Sequence, residues 1–218
     1  MAYAYTVGTL LIEDTFTRSG ALGSTESGSL GSLAWIGDTA KLPCNGSEAV
    51  AVNPANAVGV IGNVYVNVPA GLSVRVAAET NSAAFDSFAN AYLGVTARGD
   101  VTTRAQCNNI REASTGYRPR VTTPGLVANG VSAPAIGTQS VVTIFLDVIG
   151  NEWYGGRLGQ PGSTFGPFVD PVNHDATRVG MTWRLGTTSD VMRFATFRVW
   201  ELVPTSPPVL THTGAMTS

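Results

Sequence analysis

Fifteen acidic residues are spread along the 218 positions of the chain. Glycoside hydrolysis needs two carboxylates on one side of a sheet, one as acid and one as nucleophile or base. On a strand that demands an E-x-D-x-E type spacing, and none of the fifteen has it. Glu13 and Asp14 are adjacent and would point to opposite faces of an extended strand. For acyl transfer there are many serines but only His174 and His212, and no G-x-S-x-G elbow. His174 and Asp175, in DPVNHDATR, could serve as base or metal ligand; the same string also reads as a solvated turn in which Asn173 or Asp175 bonds backbone groups. Arg98-Gly99-Asp100 matches an integrin-recognition tripeptide and also reads as a hairpin turn after AYLGVTA. Neither a D-x-[DN]-x-[DN]-G calcium loop nor a C-x-x-C zinc pair occurs. These residues point away from catalysis and imply no cofactor.

Contact chemistry is better provided for. Trp35, Trp153, Tyr154, Trp183 and Trp200 could stack on sugars or dock a protein partner, since amphipathic rings favour such surfaces. Trp183 alternates with apolar residues and belongs to the core. Trp153 and Tyr154 are neighbours on one strand, so one of the two faces out, and this pair is the candidate contact for a partner or a glycan.

The elements that would position these side chains are strands. Twenty-five glycines and twelve prolines punctuate short apolar runs. In VGVIGNVYVNV, Val58, Val60, Val64, Val66 and Val68 share one parity, and Gly59, Asn63 and Asn67 the other, with Ile61 and Tyr65 mixing the second face. In RVGMTWRL, Val179, Met181, Trp183 and Leu185 alternate with Arg178, Gly180, Thr182 and Arg184. VVTIFLDVIGNEWYGG puts Val142, Ile144, Leu146 and Val148 on one face and turns at Gly150-Asn151 into a strand through Trp153 and Tyr154. SVRVAAE, AYLGVTA and FATFRVWEL bring the set to at least six strands. Phe85, Phe88, Ala89 and Tyr92 have helical spacing and predict at most a turn or two of helix. Antiparallel strands buried on one face pack as two sheets, so the expected class is an all-β sandwich.

One domain over residues 1–203, with an N-terminal segment 1–12, is expected, followed by an extended Pro-rich arm over 204–218. Cys44 and Cys107 admit one disulfide, although two separate half-buried thiols is the preferred reading. Asn45-Gly46-Ser47 reads as a turn. Charge is sparse at 13% and nearly balanced at −2, which speaks against nucleic acid as a partner. Lys41 is the only lysine against twelve arginines. No apolar run reaches the roughly 18 residues of a membrane helix, and the N-terminus lacks the pattern of a secretory signal.

The opening EDTFTRSGALGSTESG followed by LAWIGD resembles the start of concanavalin A-like (laminin G-like) jelly-roll domains, which read D-x-F-x-R, a Gly/Ser loop, then a Trp-containing strand. TIFLDVIGNEWYGG and RVGMTWRLG…MRFATFRVWEL are similar to that family's hairpin and closing strands. The resemblance implies a jelly roll in which Phe16 plugs the core while Asp14 and Arg18 pin the first strand to the last. It also implies a setting, because domains with this opening are frequent in bacteriophage capsid-decoration, tail and fibre proteins. The expectation is a non-enzymatic virion structural protein, assembled in the host cytoplasm, that contacts major capsid or tail proteins and copies of itself. The alternative is a lectin-like module that binds a host-surface glycan. Structural calcium is compatible with the family, though no ligand run in the sequence supports it.

Overall fold

A computed structural model describes residues 5–52, 59–84, 91–97, 105–112, 116–123, 126–128, 141–160, 163–169, 177–185 and 191–205. The strands are β1 (Tyr5–Asp14), β2 (Ser19–Gly20), β3 (Ile36–Gly37), β4 (Cys44–Asn45), β5 (Ala49–Ala51), β6 (Val60–Asn67), β7 (Val74–Ala84) and β8 (Tyr92–Ala97). They continue as β9 (Ala105–Glu112), β10 (Gly116–Thr123), β11 (Leu126–Ala128), β12 (Val141–Ile149), β13 (Glu152–Arg157), β14 (Phe165–Val169), β15 (Arg178–Leu185) and β16 (Val191–Pro204). One short 3-10 turn, Thr39–Lys41, is the helical element among the described residues. None is long and apolar enough to cross a membrane.

The strands form two sheets. The first runs β14-β13-β12-β7-β16-β5-β4-β2, with β1 also paired to β16; the second runs β11-β10-β9-β8-β15-β6-β3. Neighbours in both are antiparallel. The predicted parities hold where side chains are described; Val58 lies outside the described residues. Val64, Val66, Val179, Met181, Trp183, Ile144, Leu146 and Val148 all lie in one core between the sheets, each at 2% exposure or less. The fold is thus the expected all-β sandwich, and its two outer faces carry the alternate residues.

Large rings bridge the layers. Trp183 of the second sheet meets Phe194 of the first edge-on, with centroids 6.4 Å apart, and Trp35 meets Phe197 at 5.0 Å. Gly62, directly opposite Trp183 in the register, makes room for the indole: a Cβ there would lie 2.0 Å from the ring. The expected hairpin turns at Gly150 (φ 56°) between β12 and β13. The Asn45-Gly46-Ser47 turn is present as well, with Asn45 Oδ1 accepting from the Ser47 and Glu48 N–H groups.

One expectation changes. Asp14 and Arg18 do not tie the first strand to the last. Arg18 instead closes back on Asp14 through two bonds of 2.9 and 2.7 Å, and the tie between strands is Glu13 to Arg198 at 2.7 Å. The reason is the corner after β1. Phe16 turns with φ 54°, unusual for a bulky residue, and this folds Arg18 over the buried Asp14 rather than along β16. Cys44 and Cys107 are both free and buried, on different sheets. The suggested helix over 85–92 falls on residues 85–90, outside those described, and Tyr92 opens β8. Arg98 to Asp100, His174, Asp175, His212 and residues 206–218 also lie outside them. Residues 5–12 of the N-terminal segment are part of β1 and pair with β16.

Candidate functional site

The opening motif builds a scaffold. Asp14, fully buried, accepts from both Arg18 terminal nitrogens, from Trp35 Nε1 at 2.7 Å and from the Phe16 N–H at 3.0 Å. Glu26 clamps the other side of the corner, accepting from Thr15 and from the Thr17 N–H and hydroxyl at 2.7 Å each. Burial works against its charge, but the Thr15 and Thr17 hydrogen bonds outweigh that and hold the carboxyl down at about 2. All of these groups are spent on the fold.

Of the predicted contact pair, Trp153 is fully buried and packs in the core, opposite Val148. Tyr154 is the outward member, on the outer face of the first sheet, and its hydroxyl donates to Glu152 at 3.0 Å. Burial first, then the Glu152 bond and the charges of Glu152 and Tyr5, raise the phenol above its ordinary value. Across the register from Tyr154 stands Asp147, and beyond it Arg75. Arg75 grips Asp147 through two bonds of 2.7 Å and lies over the Phe145 ring at 4.8 Å. Burial pushes the Asp147 carboxyl up, to about 8. Asp147 and Glu152 thus share a face, yet each is engaged, one by Arg75 and the other by Tyr154. Trp200 lies half-buried beside Arg75 in the register.

The outer face of the second sheet has a different chemistry, one that sequence reasoning did not single out. Its register places Tyr65, Gly180 and Thr96 in one row, Asn63, Thr182 and Gly94 in the next, and Ile61, Arg184 and Tyr92 in a third. The centre is sunken, with Asn63 at 9%, Thr96 at 7% and Thr182 at 0% exposure, whereas Ile61 and Ile36 at the rim are 44% and 39% exposed. Two glycines leave the middle of this floor without side chains. A Cβ at Gly180 would fall 2.0 Å from the Val64 carbonyl oxygen, so the position admits nothing larger. Thr182 gives its hydroxyl proton to the Gly62 carbonyl at 3.2 Å.

Asn63 is fixed through its backbone. Its N–H donates to Asp38 Oδ2 at 3.0 Å, and its carbonyl accepts from the Asp38 N–H at 2.8 Å. Its side-chain Oδ1 is buried and accepts no hydrogen bond. A buried acceptor left empty costs on the order of 1–3 kcal/mol, and a donor from outside reaches this atom when the side chain turns towards the face. The signal for the face was present in the alternation of VGVIGNVYVNV and RVGMTWRL, which put Asn63, Gly180 and Thr182 opposite the core. The adjacency of the two segments, more than a hundred residues apart, was not.

No family model and no curated protein matches the chain. Among solved structures, it resembles over 89% of its length a whole chain from work on endo-acting O-glycanases that human gut microbiota express to initiate mucin breakdown, with a TM-score of 0.60 and 11% identity. It resembles the exoplasmic/lumenal domain of VIP36, solved with Ca2+ and Man3GlcNAc, at TM-score 0.57 and 8% identity, covering 92% of this chain and 93% of that one. SCLam, a non-specific endo-β-1,3(4)-glucanase of family GH16, gives TM-score 0.51 and 13% identity, with 92% and 93% covered. At these identities the likeness shows the fold: a jelly-roll β-sandwich of the kind found in lectin domains and glycan-active enzymes. It gives no support to a virion setting. Among the described residues no group of three or more His, Cys, Asp or Glu could hold a metal ion.

Proposed function

We propose that the chain is a carbohydrate-binding module that takes a glycan on the outer face of its second sheet. The observation that carries this reading is the unpaired Oδ1 of Asn63 in the middle of a polar face with two glycines. Sugar hydroxyls are donors and acceptors at once. A surface that recognises them needs fixed uncharged partners, such as an asparagine amide and threonine hydroxyls, and backbone open enough for a ring to approach. Asn63 and Thr96 are the hydrogen-bonding groups, Thr182 supports them from beneath with its hydroxyl on Gly62, Gly94 and Gly180 add no side chain to the floor, and Tyr92 closes one side. The fold likeness to lectin domains supports the same reading. Tyr154, on the other sheet, is a secondary contact of this module, as the outward ring of the Trp153/Tyr154 pair. Capsid or tail partners and self-assembly, implied by the opening resemblance, gain nothing from these observations and do not enter the reading.

The test is a glycan array probed with the intact chain and with Asn63→Leu. The near-isosteric apolar residue should abolish binding while leaving the melting temperature unchanged or higher, because it removes an unsatisfied acceptor. Undiminished binding by the variant would remove the site, and no binding by the intact chain to any arrayed glycan would remove the function.

A further inference from the structure

Three arginines of the first sheet, and one in the opening corner, are engaged by carboxylates. Arg75 holds Asp147 at 2.7 Å, Arg193 holds Glu48 at 3.0 Å and Arg198 holds Glu13 at 2.7 Å; in the opening corner Arg18 holds Asp14. Arg178 and Arg184 of β15 differ. Neither has a carboxylate partner among the described residues, and the three strands that carry this face, β6, β15 and β8, contain no acidic residue. Uncharged neighbours position both guanidinium groups. Arg178 lies over the Tyr65 ring at 4.5 Å. Arg184 runs beside Gly59, where a Cβ would sit 3.3 Å from its terminal nitrogen. Both are half-buried, so each is partly desolvated, with no carboxylate among the described residues to compensate.

The two share a parity on one strand and stand six residues apart, which separates them by about 20 Å. Gly180, Thr182 and the neighbouring Asn63 lie between them in the register. A chain of net charge −2 therefore keeps two cations, without a carboxylate partner among the described residues, at the two ends of this polar face. Planar guanidinium groups match carboxylate and sulfate oxygens bidentately, and a ring beneath one of them fixes its plane.

We propose that the glycan taken on this face is anionic, an extended oligosaccharide carrying carboxylate or sulfate groups that reach Arg178 and Arg184, which are the specificity-determining residues. This rests on the reading of the face as a glycan site, and its test separates the two. Binding of the intact chain is measured by titration calorimetry against polymers paired by backbone: polygalacturonate with its methyl ester, and dextran sulfate with dextran. The expected result is that at least one charged polymer binds about tenfold or more tighter than its neutral partner. Preference for polygalacturonate identifies the carboxylate, and preference for dextran sulfate the sulfate. The Arg178→Gln/Arg184→Gln double variant should lose that margin while retaining the neutral affinity, and Arg178→Lys should fall between, since it keeps charge without the planar fork. Arg193→Gln, on the other sheet, should change nothing, and tryptophan emission reports that each variant is folded. Equal binding of charged and neutral partners, a preference unaffected by the double variant, or equally tight binding of duplex DNA overturns the anionic inference and leaves the glycan site standing. Failure of every polymer, charged and neutral, overturns the glycan reading itself.

Discussion

Glu13 on the first strand and Arg198 on the last are joined at 2.7 Å, one residue away from the buried Asp14 that gathers Arg18, Trp35 and the Phe16 N–H. The two acids are adjacent, one on the solvent side of β1 and one on the core side, and their energetic weights differ accordingly. Removing Asp14 strands a partly buried guanidinium, an indole N–H and a backbone N–H. Asp14→Ala should cost about 3 kcal/mol or more in denaturant unfolding. Glu13→Gln breaks a pair that is 25% and 38% exposed and should cost less than about 1 kcal/mol. Equal losses for the two variants would refute this division of labour.

Acid should loosen the opening corner. Glu26 is held at about 2 in the folded chain, below its ordinary 4.5, by its bonds from Thr15 and Thr17. A depressed acid contributes stability that is fully present above about pH 4.5 and is lost as pH falls towards 2. Unfolding midpoints measured across that range should fall less steeply for Glu26→Gln than for the parent chain, and parallel curves would show that Glu26 does not carry the effect.

Gly62 faces the indole of Trp183, and a methyl group has no room there. Gly62→Ala should destabilise the sandwich by about 1–3 kcal/mol through displacement of that ring, with a shifted tryptophan emission reporting the movement. A neutral or stabilising effect would mean that the two sheets can part locally at no cost.

Cys107 is completely buried, and burial pushes its thiol up to about 12; burial also raises Cys44. Neither sulfur should react with a thiol reagent at neutral pH until the chain is unfolded, when two equivalents should be taken up without prior reduction. Uptake of none by the unfolded, unreduced chain would reveal a disulfide.

Most of the sandwich was legible because a period of two survives wherever one face is buried. The alternation of Val64, Val66, Met181 and Trp183 fixed the core side of β6 and β15 without reference to anything else. The Gly150-Asn151 turn was equally local. What pairs with what was not legible. Only the register sets Asn63 beside Thr182, and only the turn at Phe16 sends Arg18 back to Asp14 instead of across to β16. Trp153 and Tyr154 show the same division, since adjacency required one ring to face outward, while the choice of Tyr154 follows from Trp153 lying opposite the core residue Val148. The candidate site escaped notice because its members are small, neutral and unremarkable in sequence; their meaning lies in an empty acceptor, which is a property of neighbours.

The most direct test of the central claim is to record backbone amide chemical shifts of the intact chain while a bound glycan from the array is titrated in. Shifts concentrated at Asn63, Gly94, Thr96, Gly180 and Thr182 are the predicted result. Perturbations confined to β12, β13 and β14 around Tyr154, with those five residues unmoved, would contradict it.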